Sequence, residues 1–334
     1  MSTAVRASSS AGLVLAVVSA VSFGTSGPLA KALIDAGWSS AGAVLVRVGG
    51  SAFVLLIMLV VLRPGVLAAL RADAPALLLY GVLAMAGVQV AFFNAVRYMP
   101  VSIALLLEYL GPVLVVAWVW VVRRQPPGTR TLAGGVIALV GLSFVVEIWT
   151  GGGLDPVGVA WGLVAAVCQA SYFLLADRAG SSTPPLVLAG VGMTVGTVVV
   201  AVLGTVGLLP LVVDPAAGPV ALAGADFGWP LAATLLVLVS TVVAYLTGIA
   251  AIARIGAARG SLVALLEVVA SAIGSWLLLG EVPGMVQLFG GVLILTGVAL
   301  TRGRPAAPRS TRRISPADPR DDAPPPRDVS EASP

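Results

Sequence analysis

The sequence predicts an all-α membrane protein, with ten transmembrane helices arranged as an inverted five-plus-five repeat. Three observations lead there. Apolar residues fill 58% of the 334 positions and charged residues only 10%, where a soluble domain carries about a quarter charged. Ten nearly uncharged runs of roughly 18–23 residues recur along the chain, each long enough to cross a hydrocarbon core of ~30 Å. The second half of the chain repeats the first at a fixed offset, with an odd number of runs in each half.

The runs, numbered as segments one to ten, cover about 11–33, 40–62, 75–96, 100–122, 130–148, 156–177, 185–208, 229–251, 258–279 and 284–301. Backbone groups cannot stay unpaired in lipid, and runs that do not alternate cannot be barrel strands, so each reads as a helix. Segment one is too long for a signal-peptide core and is preceded only by Arg6, so it reads as an uncleaved span behind a cytoplasmic stretch, 1–10. Segments one to five make a first repeat, 11–148, and six to ten a second, 156–301. Residues 302–334 hold eight prolines, seven arginines and no aromatic residue. Such a segment cannot bury enough apolar surface to order itself and reads as a disordered cytoplasmic tail. Its arginines fit a solvated anchor, with contact to anionic lipid as the alternative.

Basic residues set the sidedness. With the N-terminus inside, the inner short loops and flanks hold Arg6, Arg63, Arg71, Arg123, Arg124, Arg130, Arg178, Arg254 and Arg259, and the outer ones only Lys31 and Arg97. Nine against two places both termini in the cytoplasm. The acids Asp35, Glu147, Asp155, Asp214, Asp226 and Glu281 fall at outer ends.

Composition excludes several chemistries. The chain has no histidine, which removes imidazole bases and His-dependent zinc sites, and the single Cys168 rules out an internal disulfide. Paired aspartates inside segments, as an intramembrane aspartyl protease needs, are missing: Asp35, Asp73, Asp155, Asp177, Asp214 and Asp226 lie at ends or loops. The glycine-rich "GVGMTVG" at 190–196 sits inside segment seven and cannot cradle phosphates as a strand-to-helix loop does. No P-loop motif is present. Gly158/Gly162 and Gly192/Gly196 read as close-packing pairs. No cofactor or metal is implied.

A shift of 156 residues lays the second half on the first without a gap: Trp120 meets Trp276, Pro127 meets Pro283, Gly128 meets Gly284, and Gly134, Gly135 and Gly141 meet Gly290, Gly291 and Gly297. Upstream, a shift of 146 brings Gly12, Leu29 and Ala30 onto Gly158, Leu175 and Ala176. Five segments per half is odd, so equivalent helices must cross in opposite directions, an architecture frequent among secondary transporters. The charges agree. Arg123, Arg124 and Arg130 flank an inner loop, and their counterparts Leu279, Gly280 and Val286 flank an outer one.

With "SIALLLEYLGPVLVVA" at 102–117 and "LLLGEVPGMVQLFGGVLILTGVAL" at 277–300, the chain resembles the EamA-type branch of the drug/metabolite transporter superfamily over about residues 11–301. Within it the chain is similar to bacterial threonine/homoserine exporter-like proteins, in the Glu108…Gly111-Pro112 stretch, in Arg47 and in an aromatic, alanine-rich segment six. The resemblance implies segments five and ten outside a central cavity and amino acids as the leading substrate class. One departure stands out: "LLEVVAS" at 265–271 lacks the proline that many relatives carry after the Glu, which puts a conserved kink mechanism there in doubt.

Glu108 lies ~13 Å into segment four at 1.5 Å per residue, where an ionised carboxylate facing lipid costs several kcal/mol. It should face a cavity or a partner. Pro112 cannot donate to the Glu108 carbonyl, so a kink and a free acceptor coincide with the acid; Pro28 makes a second kink candidate in segment one. Glu108 reads as a site for a substrate ammonium or a proton, or else as a charge paired with Arg47. Arg47, at similar depth in segment two, reads as a substrate-carboxylate site or as a side chain snorkelling outward. Glu267 aligns with Gly111, one turn from Glu108, with the small polar stripe Ser271, Gly274 and Ser275 below it. Gln89 and Tyr245 occupy matching positions under the 156 shift, and Thr241 and Gly248 extend the Tyr245 face. Ser19, Ser22 and Ser26 form a stripe on segment one; Cys168, Gln169 and Tyr172 cluster on segment six. Each alone reads as interhelical hydrogen bonding, but together they give six helices one polar side. The sequence thus points to a secondary transporter of the cytoplasmic membrane, exporting small metabolites by alternating access, with an acid able to couple a proton to the substrate. Drugs or sugars are alternative substrates, and a membrane-embedded enzyme or a passive channel the alternative classes. Its partners are then a small-molecule substrate, a coupling proton and the bilayer, with no nucleic acid.

Overall fold

The computed structural model describes residues 2–62, 74–95, 97–98, 101–145, 155–179 and 183–301. The tail 302–334, the loop residues Arg63, Arg71 and Asp73, and Glu147 lie outside the described residues. Nearly everything described is helical. Eight segments are apolar helices of at least 18 residues: Ser10–Asp35, Ser40–Leu62, Ala74–Phe92, Ala104–Val121, Pro156–Ala179, Pro185–Thr205, Trp229–Ile255 and Ala257–Leu279. Segments five and ten are shorter apolar helices, Thr129–Val145 and Met285–Leu300. Sixteen or seventeen residues at 1.5 Å each reach ~24–25 Å, a little less than a ~30 Å core.

The distribution of polarity is inverted relative to a soluble protein. Val60, Phe53 and Val121 are 74%, 68% and 72% exposed, while Ser51, Ser240, Thr241 and Ser261 are fully buried. Apolar surface on this scale needs lipid to cover it. Trp118, Trp120 and Trp276 stand half-exposed on the same outer surface.

Three segments are interrupted where the site lies. Segment one breaks at Thr25, between Ser2–Gly24 and Ser26–Asp35, because Pro28 has no N–H for the Gly24 carbonyl; the Thr25 hydroxyl instead donates to the Ser22 carbonyl at 2.7 Å. Segment four breaks at Tyr109–Leu110, between Val101–Glu108 and Gly111–Val121, because Pro112, four residues after Glu108, leaves the Glu108 carbonyl without its donor. Segment nine breaks at Leu265, between Ala257–Ala264 and Leu266–Leu279, although Val268 stands where the proline was missed. The proline mechanism is thus absent, as the sequence suggested, yet the helix is interrupted all the same. Leu265 N–H donates to the Leu262 carbonyl and Val268 N–H to the Leu265 carbonyl, so tighter i→i−3 bonds make the interruption that the proline makes in segment four.

Segments three and eight carry π-helical turns at Tyr80–Gly87 and Leu238–Val243, which the 156 shift superposes. Nothing in the sequence pattern announces them. Packing follows the repeat too. Segment one rests on segments eight and nine, and segment six on segments three and four. Segments five and ten meet backbone to backbone: a Cβ on Gly141 would lie 2.6 Å from the Gly290 carbonyl, and one on Gly297 would lie 2.4 Å from the Gly134 carbonyl. Since the partner number falls as the position rises, these equivalent helices run antiparallel. Gly192 and Gly196 pack against the Tyr80 ring and Met85, and Gly162 against Leu107, as close-packing pairs do.

Residues 209–228 carry no element in the sequence reading, but a hairpin forms there, β1 Val220–Leu222 with β2 Ala225–Phe227, paired antiparallel. Its turn residues Ala223 and Gly224 both have positive φ, 52° and 77°, the twist a two-residue hairpin requires. Val220 and Leu222 are buried with Leu29, Leu33, Trp38 and Leu236, so the hairpin seals the ends of segments one, eight and nine.

Candidate functional site

The interrupted and π-turned helices surround a cavity of about 1090 Å³, lined from segments one, two, three, four, six, eight and nine. From segments five and ten only the ends reach it among the described residues, Val145 and Gln287. Its wall at one end is made of exposed residues, Lys31, Ser40, Glu281 and Val282; at the other end Ala251, Ile252 and Gly260 are buried. The cavity is thus open at the Lys31/Glu281 end and closed at the Ile252/Gly260 end.

Glu108 ends the first half of segment four, and Glu267 stands in the first turn of the second half of segment nine. Both line the cavity. The Gln169 amide approaches Glu108 Oε1 at 3.4 Å, and the Tyr109 phenol lies close enough to the Glu267 carboxylate to interact with it. Gln169 folds over Gly111, whose missing side chain leaves room: a Cβ there would lie 2.4 Å from Gln169 Oε1. Arg47 lines the same chamber and lies within electrostatic reach of both acids.

Arg47 has no ion-pair partner among the described residues. Among the described residues the ion pairs are Lys31–Asp35, Lys31–Glu281 and Arg123–Asp177, so the Arg47–Glu108 pairing weighed as an alternative does not form. Its Nε donates instead to Thr241 Oγ1 at 3.1 Å, and that hydroxyl donates to the Leu236 carbonyl at 2.8 Å. The acceptor lies five residues back, at the edge of the π-turn, which loosens the carbonyls that a regular helix would saturate. The π-turn therefore builds the seat of Arg47.

Gln89 and Tyr245 each follow a π-turn and both reach the cavity, as do Gln169, Tyr172, Ser26 and Ser271. Tyr245 packs edge-on against Phe23 and Tyr172, with ring centroids 4.7 and 5.6 Å apart. The Tyr172 hydroxyl and Gln169 Oε1 are buried and have no hydrogen-bond partner among the described residues. Ser22 is buried away from the cavity lining, where its carbonyl serves Thr25. Pro28 and Pro112 act at the breaks rather than on the wall; Pro28 packs where a Cβ on Gly274 would lie, at 3.3 Å. Part of the segment-nine stripe is thus packing, whereas Ser271 and Ser275 face the chamber.

Sequence reasoning missed Tyr109, Phe23, Phe92 and Phe173, which also line it. Tyr109 follows Glu108 directly, and in an unbroken helix neighbours point about 100° apart. Here the break that begins at Tyr109 leaves both on the cavity wall. Aromatic residues among aliphatic ones gave no signal distinguishing cavity from core.

The sequence profile described as the EamA-like transporter family matches residues 10–147 and again 156–303. An "Uncharacterized inner membrane transporter YicL" of Salmonella typhimurium is 27% identical over 232 residues, covering 69% of this chain and 73% of that protein. The "Threonine/homoserine exporter RhtA" of Salmonella typhimurium is 30% identical over 131 residues, 39% of this chain and 42% of that protein. One crystal structure superposes with a TM-score of 0.68 at 20% identity, over 87% of this chain and 96% of the other, which is likeness of fold.

Proposed function

The chain belongs to the EamA-like transporter family, and on that premise we propose that it is a secondary active transporter exporting small metabolites, amino acids first among them, by alternating access around the central cavity. One observation carries the reading. Acids from both repeats, Glu108 and Glu267, share a chamber of about 1090 Å³ with Arg47, which has no ion-pair partner among the described residues. A zwitterion fits that arrangement: its carboxylate meets the Arg47 guanidinium and its ammonium meets a carboxylate, with charge-assisted bonds at both ends. The second acid is then free to carry a proton, and an acid whose proton affinity differs between two facing states couples proton and substrate movement. Gln89, Gln169, Tyr172, Tyr245, Ser26 and Ser271 supply the remaining polar contacts.

The exporter named among the relatives supports an amino-acid substrate. The antiparallel glycine contacts of segments five and ten support ten crossings in an inverted five-plus-five repeat. The nine-to-two distribution of basic residues supports cytoplasmic termini in the inner membrane, and with that orientation the open end faces outward. Purified protein in proteoliposomes tests the proposal. Uptake of an amino-acid panel is expected to saturate and to respond to an imposed proton gradient. Flux that never saturates would make the chamber a pore, and chemical conversion of a solute would make it an enzyme.

A further inference from the structure

Beside the closed end of the cavity lies an ion pair that does not touch the cavity itself. Asp177, near the end of segment six, pairs with Arg123, just past segment four. Asp177 also lies against the bend that forms the cavity floor: Gly256, at φ 81°, joins Ala244–Ile255 to Ala257–Ala264, and a Cβ on it would sit 3.8 Å from Asp177 Oδ1. Ile252 and Gly260, on either side of this bend, are the buried floor residues. One contact therefore ties segments four and six beside the turn from eight into nine.

The open end carries a counterpart. The 146-residue register that lays segment one on segment six puts Lys31 on Asp177, and the 156-residue register puts Arg123 on Leu279, two positions before Glu281. Lys31 and Glu281 are paired at 3.5 Å. Each repeat thus joins the end of its first helix to the end of the other repeat's fourth helix… with the signs exchanged, base on segment one and acid on segment six. The position of the contact is shared while the residues are not, so the contact is not a by-product of repeated sequence. The two contacts also differ in tightness. Lys31 and Glu281 are 50% and 49% exposed, and Lys31 divides its charge with Asp35 at 2.9 Å; Arg123 is 38% exposed, and only its partner Asp177, at 15%, is sheltered. A pair with one member sheltered from water and salt is screened less and holds more strongly.

We propose that Arg123–Asp177 is the latch that keeps the Ile252/Gly260 end shut, and that Lys31–Glu281 is its counterpart at the open end, so that the chain changes facing by loosening one pair as the other tightens. The proposal rests on the alternating-access reading, but its test does not need a substrate. A reporter cysteine at the cavity wall, Ala264→Cys in a Cys168→Ser background, is labelled with a membrane-impermeant maleimide in right-side-out and in inverted membrane vesicles. The parent should label mainly from the Lys31 face. Asp177→Asn and Arg123→Gln should each raise labelling from the opposite face at least threefold, and Glu281→Gln should lower it. Asp177→Glu, or the exchanged pair Arg123→Asp with Asp177→Arg, should bring it back towards the parent. Unchanged labelling in both single variants overturns the latch, and so does an equal rise from both faces, which marks general loosening. Saturable transport with a labelling pattern indifferent to Asp177 would leave the transporter reading intact and remove only the latch.

Discussion

Glu108 and Glu267 show how one residue type reaches one chamber through two local solutions. Glu108 closes a half-helix whose next turn is spoiled by Pro112, whereas Glu267 opens a half-helix after a turn tightened at Leu265. Replacing either with glutamine keeps shape and hydrogen bonding but removes the charge. Glu108→Gln and Glu267→Gln are expected to lower transport at least tenfold while leaving yield and gel-filtration behaviour unchanged; wild-type rates in both would make the acids structural. For Arg47, a charge-assisted hydrogen bond to a substrate carboxylate is worth about 1.5–3 kcal/mol, or roughly 10- to 100-fold in affinity. Arg47→Ala should weaken carboxylate-bearing substrates by about that factor and amines lacking a carboxylate much less, as competition assays would read. Equal losses would assign Arg47 to holding Thr241 and segment eight in place. These three charges were legible in the sequence because charge inside an apolar run is costly and needs a reason. Tyr109, Phe23 and Phe173 were not, because an aromatic side chain is equally at home in a core, in lipid or on a cavity wall.

At the level of helices, periodicity located the segments, and proline marked two of the three interruptions. The break at Leu265 and the π-turns in segments three and eight arise from backbone bonds that shift by one residue, a change with no fixed residue signature. Their matching placement in the two repeats is what the sequence could not disclose and the register afterwards makes plain. The glycine framework shows the opposite case. Gly134, Gly135 and Gly141 and their counterparts were visible as repeated positions, but spacing could not say which ones bear the contact. A Cβ on Gly141 would lie 2.6 Å from the Gly290 carbonyl and one on Gly290 would lie 2.5 Å from the Gly141 carbonyl, whereas one on Gly291 meets nothing within 4 Å. The close neighbours are backbone atoms that cannot swing aside, so overpacking of about 1–3 kcal/mol follows. Gly141→Val and Gly290→Val should therefore lower the melting temperature of the detergent-solubilised protein, and Gly291→Ala should not. Because segments five and ten touch the cavity only at Val145 and Gln287, the folded fraction of each variant should keep its transport rate.

The whole molecule turns on whether the two repeats are threaded in opposite senses. An even total of crossings puts both termini on one face however the repeats are arranged, so locating the termini cannot decide it. Repeat-equivalent loops can. Gly128 and Gly284 are related by the 156-residue register, both are exposed, and each lies just before its repeat's fifth helix. If segment five crosses the bilayer, the first repeat has five crossings, the second starts from the other face, and the two loops lie on opposite sides. If segments five and ten only rest at the surface, each repeat has four crossings and both loops share a side. The antiparallel contact of Gly141 with Gly290 and of Gly134 with Gly297 fits the first outcome, since helices that cross the bilayer from the same face would run parallel. In a Cys168→Ser background, Gly128→Cys should react with an impermeant maleimide only in inverted vesicles and Gly284→Cys only in right-side-out vesicles. The expected sides follow from the arginines around Gly128 and their absence around Gly284, by the positive-inside bias. Labelling of both from one face would undo the inverted repeat, and with it the chamber's assignment as a site approached alternately from two sides.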